Sequence, residues 1–494
     1  MLAAEVLPGE PLRTLTAERE VTRLGESVFR TGRISTEAME AVVRVLTRMA
    51  DTYRKLGVVG VRAVATSAVR DATNQAEFVA RASTILGTQV EIISGREEAR
   101  LIHQGVMNRW PQPAKRVLLI DIGGGSAEII GSEDGQLVDA VSKPLGAVRL
   151  QEIFLRADPP AERELRQMEE FIDAKLEATV QRMGMRWDRV IATSATAAAV
   201  VCAVNRVGRS RRDDADRLRA STAQMRKLFR NLIQLDLAGR RKVAGIGPRR
   251  AEIIVAGAGT LLRILERFHA PAAYYSTAGV REGILADLAA RGVGGELARL
   301  NRDQRKEVER VAARFGVVLK HARQVAAFSQ ALFARLQGQH QLPLAYGRLL
   351  EAACYFIDTG HYINDAGHHK HAYYIVANVD FSGFTTRERE FIAVLCRYHR
   401  KAVPSPSHAE FQALPSEDKR ALILLVPLLR LADNLDRSRE QDVQLAGCDI
   451  QSGRVVLTLR SAREPDLAEW AASRVSEVFR QVYGRSVAIT HEQG

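Results

Sequence analysis

The stretch from Ile120 to Glu128 carries the densest chemistry in the chain. Asp121 and Glu128 bracket a turn made of Gly123, Gly124, Gly125 and Ser126. Consecutive glycines let backbone N–H groups turn toward one point and let a bulky anion come close, because no Cβ intervenes. Carboxylates at the two ends of such a cradle suit a divalent cation. The same triplet also suits a flexible hairpin whose acids are merely solvated, and a glycine-rich match by itself does not choose between them.

The elements around this turn are readable. Val117-Leu118-Leu119-Ile120 enters it and Ile129-Ile130 leaves it, which predicts a β-hairpin with a buried first strand. Upstream, Thr14 to Leu24 reads as strand-like around Val21-Thr22-Arg23-Leu24, and Ser35 as the N-cap of a helix running to about Leu56. A strand over Val61 to Ala65 ends at Thr66-Ser67, and Arg70 sits at the transition into the next helix, a good place for an anion. After a helix over Gln75 to Leu86 and a strand over Gln89 to Ile93, Ser94 caps another helix with Glu97 as its capping-box partner. Glu97 thereby has a structural role. Glu98 is left over, on a helix start that can aim it into a cleft.

Downstream, the pattern predicts a long amphipathic helix over Glu162 to Met183 and a strand over Arg189 to Thr193. It also predicts strand ends at Ile253 to Thr260 and at Tyr274-Tyr275. The alternation of strand, small-residue turn and helix argues for an α/β architecture with its loops gathered at strand ends. Arg206 to Arg212 and Gly239 to Arg250 read as mobile basic loops or as solvated charge runs. A boundary is expected at Gly292-Val293-Gly294-Gly295. Beyond it the chain is helical by periodicity from Arg302 to about Asn434, with histidines concentrated there, and ends in a strand, a helix and a strand between Asp449 and Glu492.

Composition narrows the function. The 494 residues fit about three domains. Cys202, Cys354, Cys396 and Cys448 form no C-x-x-C pair, so neither a zinc knuckle nor a disulfide framework is supported, and a reducing cytoplasmic setting is expected. The first residues lack a basic and apolar leader, and no apolar run approaches the roughly 18 residues of a membrane span. A net charge of +13 favours a polyanionic partner, although an arginine excess also follows from a GC-rich coding sequence. Aromatic residues are only 6% and do not interleave with basic ones, which argues against nucleic acid.

Several motifs occur in order: Thr66-Ser67-Ala68-Val69-Arg70, Ile93 to Arg100, Ile120 to Glu128, Leu145-Gly146-Ala147-Val148-Arg149, and Gly279-Val280-Arg281-Glu282-Gly283. Together they resemble the exopolyphosphatase and guanosine pentaphosphate phosphohydrolase (Ppx/GppA) family. Leu349-Leu350-Glu351, His368-His369-Lys370-His371 and Arg397-Tyr398-His399-Arg400 are similar to the long members, which append an HD-like helical domain. The resemblance implies two ribonuclease-H-like domains of the actin and acetate-kinase type, over 1–118 and 119–292. An all-α HD-like domain over 300–440 and a small α/β appendix over 449–494 would follow.

By the same resemblance, Glu98 positions and deprotonates the attacking water, and Asp121 and Glu128 surround Mg²⁺ or Mn²⁺. Gly123, Gly124, Gly125 and Ser126 form the second phosphate loop, and Arg70 contacts phosphate. The implied reaction is hydrolysis of terminal phosphoanhydride bonds, releasing orthophosphate from inorganic polyphosphate. Guanosine pentaphosphate is the alternative substrate, and a homodimer is implied. This agrees with the chemistry of the residues, since phosphoanhydride hydrolysis mainly needs an in-line water, neutralised oxygens and a metal.

The sequence departs from the family in three places. Members begin with a strand and a first phosphate loop of the Asp-x-Gly-Ser-Asn-Ser type, whereas Met1 to Val6 here resembles the strand just after that loop. A start placed too late is expected, and a true truncation would instead make a non-catalytic polyphosphate or alarmone binder. Thr193-Ser194-Ala195-Thr196 stands where relatives carry a glycine-rich turn, and its extra Cβ atoms are expected to narrow the cleft. In the HD-like segment, His321, Asp358 and Asp433 match metal-ligand positions, but Ile357 replaces the paired histidine. Losing one ligand of four argues against tight metal binding there and for a scaffold or polyanion surface. His368, His369, Lys370, His371, His399, Arg400 and Lys401 would then line a route for a long anion, or stand as histidines and basic residues with no joint role.

Overall fold

In a computed structural model of the full chain, the described residues are 1–7, 12–22, 24–291, 298–461 and 466–493. The chain divides into two compact units, Met1–Val293 and Gly294–Gly494. The boundary expected at Gly292 to Gly295 falls outside the described residues.

The first unit is built on a six-stranded sheet of β5 (Arg116–Ile122), β6 (Ala127–Glu133), β7 (Gln136–Lys143), β8 (Arg189–Thr193), β9 (Arg219–Ser221) and β10 (Ala272–Tyr275), in the order β7-β6-β5-β8-β10-β9. β5 pairs in parallel with β8 and antiparallel with β6, so the predicted hairpin forms the middle of the sheet. Val117, Leu118, Leu119 and Ile120 are fully buried, as a strand covered on both faces requires. Two small sheets precede it: β1 (Leu2–Glu5) with β2 (Arg13–Ala17), antiparallel, and β3 (Ala63–Ala65) with β4 (Val90–Ile92), parallel.

Helix Thr36–Lys55 forms as its sequence dictates, with Ser35 accepting the Ala38 N–H at 3.2 Å. Two predicted strands differ from the structure. Of the strand expected over Thr14 to Leu24, the first residues lie in β2, but its centre at Val21 to Leu24 is not strand and a helix, Leu24–Thr31, begins at its end; Arg23 lies outside the described residues. The Ile253 to Thr260 segment is the start of helix Ile254–Arg267. A short apolar run does not distinguish a buried strand from a buried helix. Its glycines serve close packing, since a Cβ at Gly257 would lie 2.6 Å from Thr196 Cγ2.

The expected basic loops are also ordered. Arg209–Ala215 is a short 3₁₀ helix, and Arg240 is buried and paired with Asp158. In the second unit, helices from Arg302–Arg314 through Ser416–Leu435 surround one apolar core. They are followed by β11 (Val443–Gln451), β12 (Arg454–Ser461) and β13 (Ser486–Gln493), with helix Asp466–Tyr483 making the crossover between the parallel β12 and β13. The four cysteines are free and buried. Among the described residues no helix is long and apolar enough to cross a membrane.

Candidate active site

The antiparallel register of β5 and β6 sets Asp121 directly opposite Glu128. Both are buried. The turn between them closes with the Gly123 N–H donating to Ser126 O at 2.9 Å. Its carbonyls face one way. Gly123 O accepts from Ala147 N–H at 3.0 Å, Gly124 O from Val148 and Arg149 N–H at 2.9 and 3.0 Å, and Gly125 O from Arg149 Nε at 2.7 Å. Among the described residues the Gly124 and Gly125 amides have no acceptor, which leaves them for an anion. A larger residue at Gly125 would displace Phe29 and Ser67, since a Cβ there would lie 2.3 Å from Phe29 Cζ and from Ser67 Oγ. At Gly146 a Cβ would meet the Gly124 and Gly125 backbone at 2.4 Å.

Glu98 comes from the first turn of helix Gly95–Arg109, whose N-cap Ser94 accepts the Glu97 N–H at 3.2 Å. The Glu97 carboxylate pairs with Arg100 and Arg62. Helix Gly95–Arg109 packs on β6, β7 and helix Val280–Ala290. The contact with β7 is tight, for a Cβ on Gly95 would lie 2.3 Å from Ser142 Cβ. That places Glu98 on the same body as the hairpin acids. Arg70 donates to Ile93 O at 2.7 Å and lies 3.9 Å from Glu98 Oε2, which is buried without a hydrogen-bond partner.

Electrostatics ties these acids together. Burial, then Glu128 and Asp121, push the Glu98 carboxyl well above its ordinary value against the pull of Arg70. Asp121 is pushed up to about 8 by burial and then by Glu128 and Glu282. Glu128 is raised by burial, although hydrogen bonds from Ser142 and Ser126 and the charge of Arg70 oppose it. Three buried carboxyls that repel one another, one with an unsatisfied oxygen, fit a hard divalent cation and its water.

The sequence-predicted residues Arg70, Glu98, Asp121, Gly123, Gly124, Gly125, Ser126 and Glu128 therefore meet in one place. Others had not been singled out. Ser142 stands beside Glu128 in the β6–β7 register and donates to Glu128 Oε1 at 2.7 Å. Arg149 pairs with Asp71 and stacks over Phe29 at 4.1 Å, which fastens the turn to the preceding segment. Glu282 accepts the Gly279 N–H at 2.8 Å. Arg149 and Glu282 lie inside motifs already quoted, which was their only signal; Ser142 gave none.

Thr193 and Ser194 are tied down beside the turn. Thr193 Oγ1 donates to Ala278 O at 2.5 Å, and Ser194, at φ +83°, donates to Ile122 O at 2.9 Å. A basic neighbourhood adjoins them. Arg212 donates to Ser194 O at 3.3 Å and to the Tyr275 hydroxyl at 3.1 Å. Burial and Arg212 hold Arg250 down to about 10, and burial, Arg19 and Arg212 lower Arg281 against the pull of Glu282. Arg281 is paired with Glu282 at 3.6 Å, and the gathering of guanidinium groups around it favours an anion.

In the second unit, His321 and Asp433 meet as expected, with His321 Nε2 at 3.4 Å from Asp433 Oδ1 and 3.9 Å from Asp358 Oδ2. Ile357 is in the core. The anion route is corrected. His368, His369 and His399 are buried, so they do not line a solvent-facing path; Lys370, Arg400 and Lys401 are exposed and His371 is half-buried.

Known proteins resemble this chain. A family model for the Ppx/GppA phosphatase family matches residues 3–291, and one for Ppx/GppA phosphatase domain III matches residues 304–470. A solved exopolyphosphatase-like protein is 26% identical, with a TM-score of 0.54 over 57% of this chain and 91% of its own. A Ppx/GppA family member from Aquifex aeolicus is 27% identical, with a TM-score of 0.51 over 59% and 93%. An exopolyphosphatase from Cytophaga hutchinsonii is 25% identical, with a TM-score of 0.54 over 60% and 95%. The family match spans more than half of the sequence and includes the hairpin, Glu98 and Arg70, and this chain belongs to the Ppx/GppA phosphatase family.

Proposed function

We propose that this protein hydrolyses the terminal phosphoanhydride bond of inorganic polyphosphate and releases orthophosphate. The observation that carries the reading is the meeting of three buried carboxyls with a glycine turn whose amides are free, beside a Glu98 oxygen that has no partner. The likeness to an exopolyphosphatase supports the polyphosphate substrate, as does the basic neighbourhood of Arg212, Arg250 and Arg281.

Asp121 and Glu128 are the residues that would hold Mg²⁺ or Mn²⁺, and a bound ion would neutralise charge on the phosphate oxygens. The chain's own groups do the rest. The Gly124 and Gly125 amides receive the terminal phosphate, and Arg70 adds positive charge beside Glu98. The water oxygen attacks the terminal phosphorus, its proton passes to Glu98 Oε2, and the bridging P–O bond breaks toward the shortened chain. A carboxyl raised by its surroundings is the stronger base for that proton once it is ionised.

Long-chain polyphosphate with Mg²⁺ should yield free phosphate, and Glu98→Gln should lower the rate by about 10²–10⁴-fold. Binding of polyphosphate without release by the parent protein would favour a binder over an enzyme. Faster turnover of guanosine pentaphosphate would move the substrate assignment, and full activity in Glu98→Gln would remove the role given to that residue.

A further inference from the structure

Four histidines of the second unit present themselves in the same way. His321 Nδ1 lies 2.6 Å from Asp436 Oδ2, His361 Nδ1 2.6 Å from Asp365 Oδ1, His368 Nδ1 3.2 Å from Asp365 O, and His399 Nδ1 2.7 Å from Cys396 O. Carboxylate and carbonyl oxygens only accept, so at His321, His361 and His399 the Nδ1 carries the hydrogen and the Nε2 of a neutral ring is left for another partner; at His368 the Arg400 guanidinium also lies 3.3 Å from Nδ1. Metal-binding histidines are oriented in this manner, with the far nitrogen tied to an acceptor.

The Nε2 atoms converge. His361 Nε2 is 3.6 Å from Asp358 Oδ1, and one ligand atom each of Asp358, His361 and His368 lie within 4.8 Å of one another. His368 Nε2 is 3.1 Å from His399 Nε2, with the Arg400 guanidinium 3.4 Å from the same His368 nitrogen. His321 Nε2, on a ring 2% exposed, has no hydrogen-bond partner and points at Asp433 and Asp358.

We propose that Asp358, His361 and His368 bind one divalent transition-metal ion, with His399 placed to complete the set and His321 and Asp433 beside it. Bonds of about 2.0–2.2 Å in a tetrahedral set put ligand atoms roughly 3.4 Å apart. The separations here of 3.1 and 3.6 Å bracket that spacing. A set of imidazoles and one carboxylate selects Zn²⁺, Co²⁺ or Ni²⁺ over Mg²⁺, so this site differs in kind from the acid cluster of the first unit.

Ile357 had argued against a metal here, but His361, in the following 3₁₀ turn Thr359–Tyr362, supplies the imidazole instead and reaches the same Asp358 carboxylate. Arg439 holds that carboxylate from its other oxygen at 2.7 Å. The His361 side chain is 36% exposed, which gives an ion a way in.

The test is a Zn²⁺ titration of full-length, chelator-stripped protein in excess Mg²⁺ at pH 7.5, read by competition with a chromogenic chelator. One equivalent should bind, with affinity at least about tenfold weaker in His361→Ala and in Asp358→Asn. Asp121→Asn should bind as the parent does. Replacing Zn²⁺ with Co²⁺ should give visible absorption of a tetrahedral, nitrogen-rich site that His361→Ala loses. His361 is half-exposed, so circular dichroism of that variant should match the parent. Absence of the equivalent, equal affinity in both variants, or loss only in Asp121→Asn would each overturn the proposal.

Discussion

Asp121 and Glu128 face each other across β5 and β6 with both carboxyls buried, a placement of like charges that costs stability in a sheet. The fold tolerates it at the point where a cation would be useful. Asp121→Asn should therefore stabilise the metal-free protein, by on the order of 1 kcal/mol, while phosphate release falls below about 1% of the parent. Thermal unfolding in a chelator, beside an activity assay, checks both halves.

The same carboxyls predict a pH dependence. Asp121 has an ordinary value of 3.8 and is pushed up to about 8, and Glu98 and Glu128 shift in the same direction. A raised carboxyl stabilises the fold fully below its unfolded value and loses that contribution as pH rises through its folded value. Metal-free protein should lose stability between about pH 4 and about pH 8. Because the ion must displace those protons, affinity for Mn²⁺ should rise by up to about tenfold per pH unit over the same window. Calorimetric titrations at several pH values measure it, and a flat profile would contradict the shared protonation.

Gly146→Ala should damage the turn more than its size suggests. The new methyl would meet backbone at 2.4 Å, which no rotamer change relieves. A loss of about 1–3 kcal/mol is expected, together with a drop in turnover, since the Gly124 and Gly125 amides would move. Denaturant unfolding and steady-state kinetics report the two effects separately.

Arg149→Lys tests the fastening of the turn. Arg149 donates to Gly125 O, pairs with Asp71 and lies over Phe29, and lysine cannot keep all three. KM for polyphosphate should rise several-fold with little change in unfolding temperature. An unchanged KM would show that the turn holds its shape without that arginine.

Asp287→Asn addresses the support beneath Glu98. Burial opposes ionisation of Asp287, but Arg100, Arg291 and Arg62 outweigh it and hold the carboxyl below its ordinary value. Removing the anion leaves Arg62 and Arg100 short of a buried partner, at a cost of about 3–5 kcal/mol. Urea unfolding measures it.

How much of this was legible follows from what each residue depends on. Ser35, Ser94 and the glycine turn act through neighbours in sequence, so their roles were readable, as was the β5–β6 pairing. Glu98 could be named from its motif, but its partners Asp121 and Glu128 come from another element, and the unpartnered oxygen is a property of that meeting. Ser142 depends on strand register, which no local signal fixed. The Ile253 to Thr260 segment failed for a different reason. Its small residues serve helix packing, and small residues alone look the same in a strand end. In the histidine-rich unit, position 357 suggested a loss, while the turn that brings His361 to Asp358 is visible only in three dimensions.

Helix Gly95–Arg109 crosses helix Val280–Ala290 on bare backbone. A Cβ at Gly283 would lie 1.8 Å from Leu101 O, and one at Gly105 would lie 2.3 Å from Gly279 O. The height of Glu98 above the sheet is thus set by atoms that are missing. A single methyl at either seam would lift its helix, and a shift of about 1 Å at a reacting group costs on the order of 10²-fold in rate. Two hydrogens far from any phosphate act as the spacer that aims the acid.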